Sequence, residues 1–280
     1  MQWLGRRESS NVDDRRGVSG GPLAVGGGIV GVIFLLAKFL LGGGEVSDLQ
    51  QVFPQGQQQE MTQEQKAADE EWAKFAKVIL ADTEDVWDKL FGEMGKQYQK
   101  PTLVLFSGGT QSDCGGATSQ SGPFYCPADS KVYIDLSFAQ DLKDRFGASG
   151  DFPMAYVIAH EVGHHVQHLL GLSDKMERLR SQVSETEYNK YSVKLELQAD
   201  FYAGVWAHYD QKIQAGRIDQ HDIEEALNAA SAIGDDNITK GRVSPDAFTH
   251  GTSAQRMYWF KKGFETGDIK QGNTFEASEL

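Results

Sequence analysis

Apolar residues recur at helical spacing in two long stretches of the chain, and this spacing predicts two helices. The first helix begins near Thr62 and carries aromatic side chains that we interpret as core contacts, with a break or bend expected near Asp82. The second covers residues 154–170, where Pro153 suits the first turn and Gly171 suits the end. Because its residues are mostly apolar, we expect this second helix to lie inside the core.

Two further helices are expected nearer the C-terminus. The third runs from about Ser192 to His208. Residues Gly216–Asp219 then form a turn, in which Asp219 is the expected N-cap of a fourth helix that ends near Gly234. The chain is therefore expected to form one α+β domain that is mostly helical.

Two short runs of alternating, β-branched or aromatic residues predict strands at Thr102–Phe106 and Lys131–Leu136. A glycine-rich loop that contains Cys114 and Cys126 lies between them. We expect a small antiparallel sheet. The cysteines are twelve positions apart and could close this loop as a disulfide, which would stabilise the protein by about 3 kcal/mol. Two free thiols are the alternative.

A different apolar pattern precedes these elements, because Leu23–Leu41 is interrupted only by Lys38. That length is enough for a helix to span a bilayer. Arginines precede the segment and Glu45 and Asp48 follow it, so the positive-inside rule predicts a single-pass anchor with a cytoplasmic N-terminus. A cleaved signal peptide is one alternative, although no A-x-A site follows the segment. A buried core helix is the other, and the flanking glycines argue against it.

This anchor divides the chain into four expected parts. Residues 1–22 form a cytoplasmic segment, 23–41 the membrane helix, 42–65 a linker, and 66–280 the exported domain. A disulfide agrees with an oxidising exterior. The formal net charge of −13 argues against a nucleic-acid-binding protein, which would need a basic face.

The predicted core helix carries the motif His160-Glu161-Val162-Gly163-His164. Residues four apart lie on one face of a helix, so both histidines can bind one zinc ion, while Glu161 can reach a water on that ion. Two helix-packing histidines are the alternative. In zinc peptidases with this motif, an edge strand beside the metal pairs with the extended substrate, and Lys131–Leu136 is our candidate for that strand.

A catalytic zinc ion needs a third protein ligand. The metzincin pattern is excluded because Gln167 and Leu170 stand where it requires glycine and histidine. Glu196 and Asp200 are four residues apart on the third predicted helix. One can bind zinc while the other accepts a hydrogen bond from a ligand histidine. A solvated charged face is the alternative.

Six segments of the chain resemble the bacterial family of putative neutral zinc metallopeptidases: residues 5–16, 122–127, 132–137, 160–167, 196–204 and 250–256. The resemblance implies a zincin-like domain at the bacterial inner membrane. The Glu-x-x-Ala-Asp element is similar to that of membrane-associated gluzincins, which implies that Glu196 is the third ligand and that Asp200 orients a histidine.

These residues predict hydrolysis of peptide or protein substrates with one zinc ion. Glu161 would be the general base. His250 is a weak candidate for the donor to the oxyanion, with Arg256 and Tyr202 behind it. Two alternatives remain open, namely an inactive zinc-containing adaptor for envelope proteins and a zinc-dependent amidase that acts on a non-peptide linkage.

Overall fold

The computed structural model describes residues 1–17, 62–213 and 218–277. Its helices are α1 (Gln63–Glu93), α2 (Phe138–Asp144), α3 (Phe152–Leu169), α4 (Leu172–Arg180), α5 (Glu185–Ile213), α6 (Gln220–Ala232), α7 (Asp235–Thr239) and α8 (Ser253–Thr266). Its strands are β1 (Val12–Asp14), β2 (Thr102–Phe106), β3 (Gly109–Ser112), β4 (Gly115–Thr118), β5 (Phe124–Cys126) and β6 (Lys131–Asp135). The described part is therefore mostly helical with two small sheets.

The main sheet has the strand order β1-β2-β6-β5. Strand β2 is parallel to both β1 and β6, and only β5 is antiparallel to its neighbour. The expectation of an antiparallel sheet from the strands at 102–106 and 131–136 was therefore wrong. Parallel strands need a connection of about a dozen residues or more. The segment between β2 and β6 is long enough, and it contains the separate antiparallel hairpin β3-β4.

Residues 1–17, which we call the N-terminal segment, are part of this domain. Strand β1 pairs with β2, and the buried Arg6 side chain lies 2.7 Å from carboxylate oxygens of both Asp82 and Asp210. Ser9 donates a hydrogen bond of 2.6 Å to the buried Glu84. A single membrane crossing between residues 17 and 62 would separate β1 from β2. The structure therefore corrects the expected cytoplasmic segment at residues 1–22, since 1–17 fold with the rest of the domain.

Helix α1 begins where the sequence predicted and continues further without a break. Thr62 is its N-cap and forms a capping box with Gln65. The expected break near Asp82 was wrong, because α1 is one helix of 31 residues and Asp82 is held in its interior by Arg6. Asp82 therefore forms an ion pair inside the helix and does not end it.

Helix α3 lies against α5, and glycines set how closely the helices approach. A Cβ atom added at Gly163 of α3 would lie 3.0 Å from the carbonyl oxygen of Ala199 in α5. Helices α5 and α8 cross still more closely, at Gly204 of α5 and Gly263 of α8. A Cβ atom at Gly204 would lie 2.0 Å from the Phe260 carbonyl oxygen. These contacts bring α5 and α8 to the motif-bearing face of α3.

The Cys114–Cys126 disulfide is formed, with an S–S distance of 2.04 Å, and it ties β5 to the turn between β3 and β4. Pro153 lies in the first turn of α3, and Gly171 follows its end in a left-handed conformation, as expected. Asp219 caps α6. Helix α5 begins seven residues before the expected start at Ser192.

The predicted anchor at residues 23–41 and most of the predicted linker at 42–65 lie outside the described residues. The last residues of that linker already belong to α1. Among the helices of the described part, none is both long enough and apolar enough to cross a membrane.

Candidate metal centre

Three side chains from two helices converge at one point. His160 and His164 lie one turn apart on α3, and Glu196 reaches them from α5; one ligand atom from each side chain lies within 4.8 Å of the other two. His160 Nε2 is 3.1 Å from Glu196 Oε2, and His164 Nε2 is 3.5 Å from Glu196 Oε1. The structure thus brings together the two histidines of the motif and the glutamate.

The spacing of these atoms fits a zinc ion. Tetrahedral zinc with bonds of about 2.0–2.1 Å places neighbouring ligand atoms about 3.3 Å apart. The two separations between histidine and glutamate atoms lie close to that value. Two imidazoles and one carboxylate are also a ligand set of catalytic zinc sites, which keep a fourth position for water. The donor set therefore fits zinc in both geometry and chemistry.

Asp200 contacts the ring nitrogen of His160 that does not face Glu196. Its Oδ1 atom is 2.8 Å from Nδ1 of His160, which leaves Nε2 directed at Glu196. Arg256 of α8 donates to both carboxylate oxygens, at 2.8 and 3.0 Å, and the Tyr156 hydroxyl donates at 2.5 Å. Burial alone would raise the pKa of Asp200, but the positive charge of Arg256 and the contact with His160 lower it to about 2. Asp200 is thus a fixed anion.

The second histidine has its own orienting partner, which sequence reasoning missed. Nδ1 of His164 is 2.9 Å from the amide oxygen of Gln167, a buried residue one turn further along α3. The amide nitrogen of Gln167 donates to the Leu195 carbonyl at 2.7 Å and to Gln198. A spacing of three residues on the motif helix was the available signal.

Opposite charges dominate the electrostatics of this centre. Burial alone would lower the pKa of His160, but the adjacent Asp200 and Glu196 carboxylates raise it. Burial alone would raise the pKa of Glu196, but the nearby histidines lower it well below its usual value. A carboxylate that stays ionised is the form that binds a cation.

The three converging residues and Glu161 line a cavity of about 440 Å³. Glu161 follows His160 directly on α3, and its side chain is 8% exposed. The cavity also reaches His250 and Arg256, and it is lined further by Gly122, Pro123, Phe124, Tyr125 and Pro127. A buried carboxylate and three side chains that could hold a metal ion therefore line one cleft.

His250 lines this cleft, and Asp235 at the start of α7 fixes it. The Asp235 carboxylate accepts backbone hydrogen bonds from Thr249, His250 and Gly251 at 2.7 to 3.0 Å, and its other oxygen is 3.3 Å from His250 Nδ1. With Nδ1 engaged in this way and with Thr249 Oγ1, Nε2 is the remaining ring nitrogen. Sequence reasoning did not single out Asp235.

The two weaker candidates have other roles. Arg256 is 3% exposed and bound to Asp200, so it holds that carboxylate. Tyr202 is 3% exposed and packs edge-on against Trp87, with ring centroids 5.5 Å apart. Tyr202 is not among the described residues that line the cavity, so the expectation that it donates to an oxyanion was wrong. For Arg256, which lines the cavity, that role stays a prediction.

The sheet edge beside the cleft is β5, not the strand expected. Strand β6 lies between β2 and β5, so both of its edges are already paired. The terminal strand β5 lines the cavity with Phe124 and Tyr125. His165 of α3 binds the Tyr125 hydroxyl at 3.0 Å and so holds β5 against the motif helix. The choice of Lys131–Leu136 as the edge strand was wrong, because β5 was too short to be recognised.

The chain is similar to one known protein family and to proteins from two bacterial species. A family model described as "Putative neutral zinc metallopeptidase" matches residues 1–275. "Uncharacterized protein YpfJ" from Escherichia coli K12 is 52% identical over 289 residues, which cover 99% of this chain and 100% of that protein. "Uncharacterized protein Rv2575" from Mycobacterium tuberculosis H37Rv is 40% identical over 74% of this chain and 73% of its own length. No solved structure matches.

Proposed function

Because this chain belongs to the putative neutral zinc metallopeptidase family, we propose that it hydrolyses peptide bonds with one zinc ion held by His160, His164 and Glu196. The observation that carries this proposal is the convergence of the three ligand atoms beside Glu161 in an open cleft. Asp200 and Gln167 keep the histidine nitrogens in place from the other side.

Zinc bound there would supply a Lewis acid that activates water and polarises the scissile carbonyl group. The Glu161 carboxylate takes a proton from the attacking water and passes it to the leaving amine. With a proton on both ring nitrogens, His250 donates from Nδ1 to the Asp235 carboxylate and from Nε2 to the developing oxyanion. Strand β5 ends the described four-stranded sheet and lines the cavity, and its outer edge binds the extended substrate through main-chain hydrogen bonds.

Glu161→Gln tests this assignment. The amide keeps the shape of the carboxylate but cannot accept the proton, so we expect zinc binding to persist and turnover to fall by about a hundredfold to ten-thousandfold. Zinc content by mass spectrometry and cleavage of a quenched fluorescent peptide measure the two effects. Glu177→Gln, the same change at an exposed position of α4, is the matched control. Full proteolysis by Glu161→Gln would refute the role of Glu161.

An unbiased peptide library separates peptidase activity from the alternatives. We expect the zinc-loaded chain to cleave library peptides and a chelator to stop the cleavage. No cleavage, with zinc still bound, would favour the adaptor for envelope proteins or the amidase on a non-peptide linkage.

We also propose that the folded domain lies outside the cytoplasm of a bacterial cell, attached to the inner membrane through residues 23–41. The disulfide supports an oxidising compartment. Since β1 pairs with β2, the N-terminal segment must lie on the same side as the domain. Leu4 and Tyr258 are 80% and 56% exposed. Leu4→Cys and Tyr258→Cys should both react with a membrane-impermeant maleimide on spheroplasts; protection of Leu4→Cys alone would contradict the shared location.

A further inference from the structure

The side chains that line the cleft differ in polarity on the two sides of the metal centre. Val157 precedes His160 by three residues and Glu161 by four, so it lies on the same face of α3, one turn toward the N-terminal end. Val157 also lines the cavity. The cleft beside the general base therefore begins with an apolar side chain.

Further apolar side chains extend this wall. Phe138 and Phe146 come from the connection that leads into the N-terminal end of α3, and their ring centroids are 6.3 Å apart. Ile233 follows α6 and has its carbonyl 3.3 Å from Arg256, and Ile238 lies in α7. We call Val157, Phe138, Phe146, Ile233 and Ile238 the apolar subsite. Its members all line the cavity.

Three members of the apolar subsite, Phe146, Ile233 and Ile238, are only partly buried. Several apolar side chains that remain accessible in one cleft indicate a binding surface. At the C-terminal end of α3, the cavity is lined mainly by polar side chains, namely Gln167, Ser173 and Tyr188, with Leu195 beside them. The two ends of the cleft thus offer different environments to a substrate that passes the metal centre.

We propose that the apolar subsite binds a large apolar side chain, such as leucine, phenylalanine or methionine, on a residue that flanks the scissile bond. This inference rests on the proposed peptidase function and names its substrate class. Arg145 also lines the cavity, with its guanidinium 5.6 Å from the centre of the Phe146 ring. A lysine side chain at that position would lose its hydration beside Phe138, Phe146 and Val157 and would face this positive charge. Removal of contacts in an apolar pocket of this kind changes kcat/KM by about tenfold to two-hundredfold.

The experiment compares dye-labelled peptides that carry alanine, leucine, phenylalanine, aspartate or lysine on either side of one cleavable bond. With the zinc-loaded full chain, we expect kcat/KM for leucine or phenylalanine to exceed that for alanine at least tenfold at one of the two positions, with lysine lowest because Arg145 lines the cavity. Phe146→Ala and Ile238→Ala should each reduce this preference, and Tyr188→Ala at the polar end is the control. No preference, or an equal effect of all three variants on every peptide, would overturn the proposal.

Peptide binding to Glu161→Gln keeps the two proposals distinguishable. Fluorescence anisotropy should show tighter binding of the leucine and phenylalanine peptides than of the alanine peptide, by the same factor of at least ten. Selective binding without any cleavage by the wild-type chain would support the apolar subsite and contradict the peptidase function. Cleavage without selective binding would support the peptidase function and contradict the apolar subsite.

Discussion

Arg256→Met removes the positive charge that faces Asp200 while keeping an unbranched apolar chain of similar reach. In the structure, Arg256 makes a two-pronged contact with Asp200, and Asp200 is 0% exposed. The same carboxylate binds Nδ1 of His160. The substitution therefore tests whether α8 supports the metal centre through Asp200.

The expected magnitude follows from the burial of both partners. Removing one partner of a buried ion pair leaves an uncompensated charge and costs about 3–5 kcal/mol of unfolding free energy. For a domain of this size, each kcal/mol lowers the thermal midpoint by about 2–4 °C, so a decrease of about 6–20 °C is expected. Loss of the group that orients a ligand histidine should also weaken zinc binding by about tenfold to a hundredfold.

Thermal unfolding of the chelated chain and competition with a zinc indicator measure these two effects. Arg242→Met, the same change at an exposed position, is the control. Arg256→Lys should recover part of the stability, since it keeps the charge but cannot form both contacts. If Arg256→Met has no larger effect on the midpoint and on zinc affinity than Arg242→Met, the reasoning about Asp200 is refuted.

Three further results are expected. Replacing Cys114 and Cys126 together by alanine should lower the unfolding free energy by about 3 kcal/mol in urea titrations, and an unchanged midpoint would contradict the loop-closure argument. Burial alone would raise the pKa of Glu84, but hydrogen bonds from the N-terminal segment lower this pKa below its ordinary value. The ionised Glu84 therefore stabilises the fold above the ordinary pKa of glutamate, and this stability is lost as the pH falls through the lower pKa of the folded state. The urea midpoint of Glu84→Gln should therefore fall less between pH 6 and 3 (roughly the range in which carboxylates titrate) than that of the wild type; equal slopes would count against it. Gly204→Ala places a Cβ atom 2.0 Å from the Phe260 carbonyl oxygen and should destabilise by about 1–3 kcal/mol in the same assay, whereas a neutral effect would show that α5 and α8 can separate freely.

Local chemistry made several elements of this protein predictable. Thr62 and Asp219 cap helices because their side chains bind the free backbone N–H groups, and Gly171 ends α3 because it adopts a left-handed conformation. His160 and His164 share a face because their spacing matches the helical period. Each of these features depends on residues within about one or two turns of each other.

Contacts between distant segments explain where the sequence-based expectations failed. The 31-residue helix α1 continues through Asp82 because Arg6, far away in the chain, neutralises that carboxylate. Strand pairing was also decided by distant contacts, since β2 pairs with β6 in parallel and β5 lies at the edge. The side chains of a strand alternate in the same way in parallel and antiparallel sheets, so the sequence pattern did not distinguish the two. Neither Arg6 nor β1 carries a local signal of its partner.

The amino-acid sequence by itself determined the helical motif, the helix caps and the placement of His160 and His164 on one face, because these follow from periodicity and from the chemistry of single residues. Tertiary structure alone decided that Gln167 and Arg256 support the centre, that Asp235 fixes His250, and that residues 1–17 complete the domain. The reason is that hydrogen bonds and ion pairs between remote segments depend on the relative positions of whole helices, and close contacts such as Gly163 against α5 set those positions.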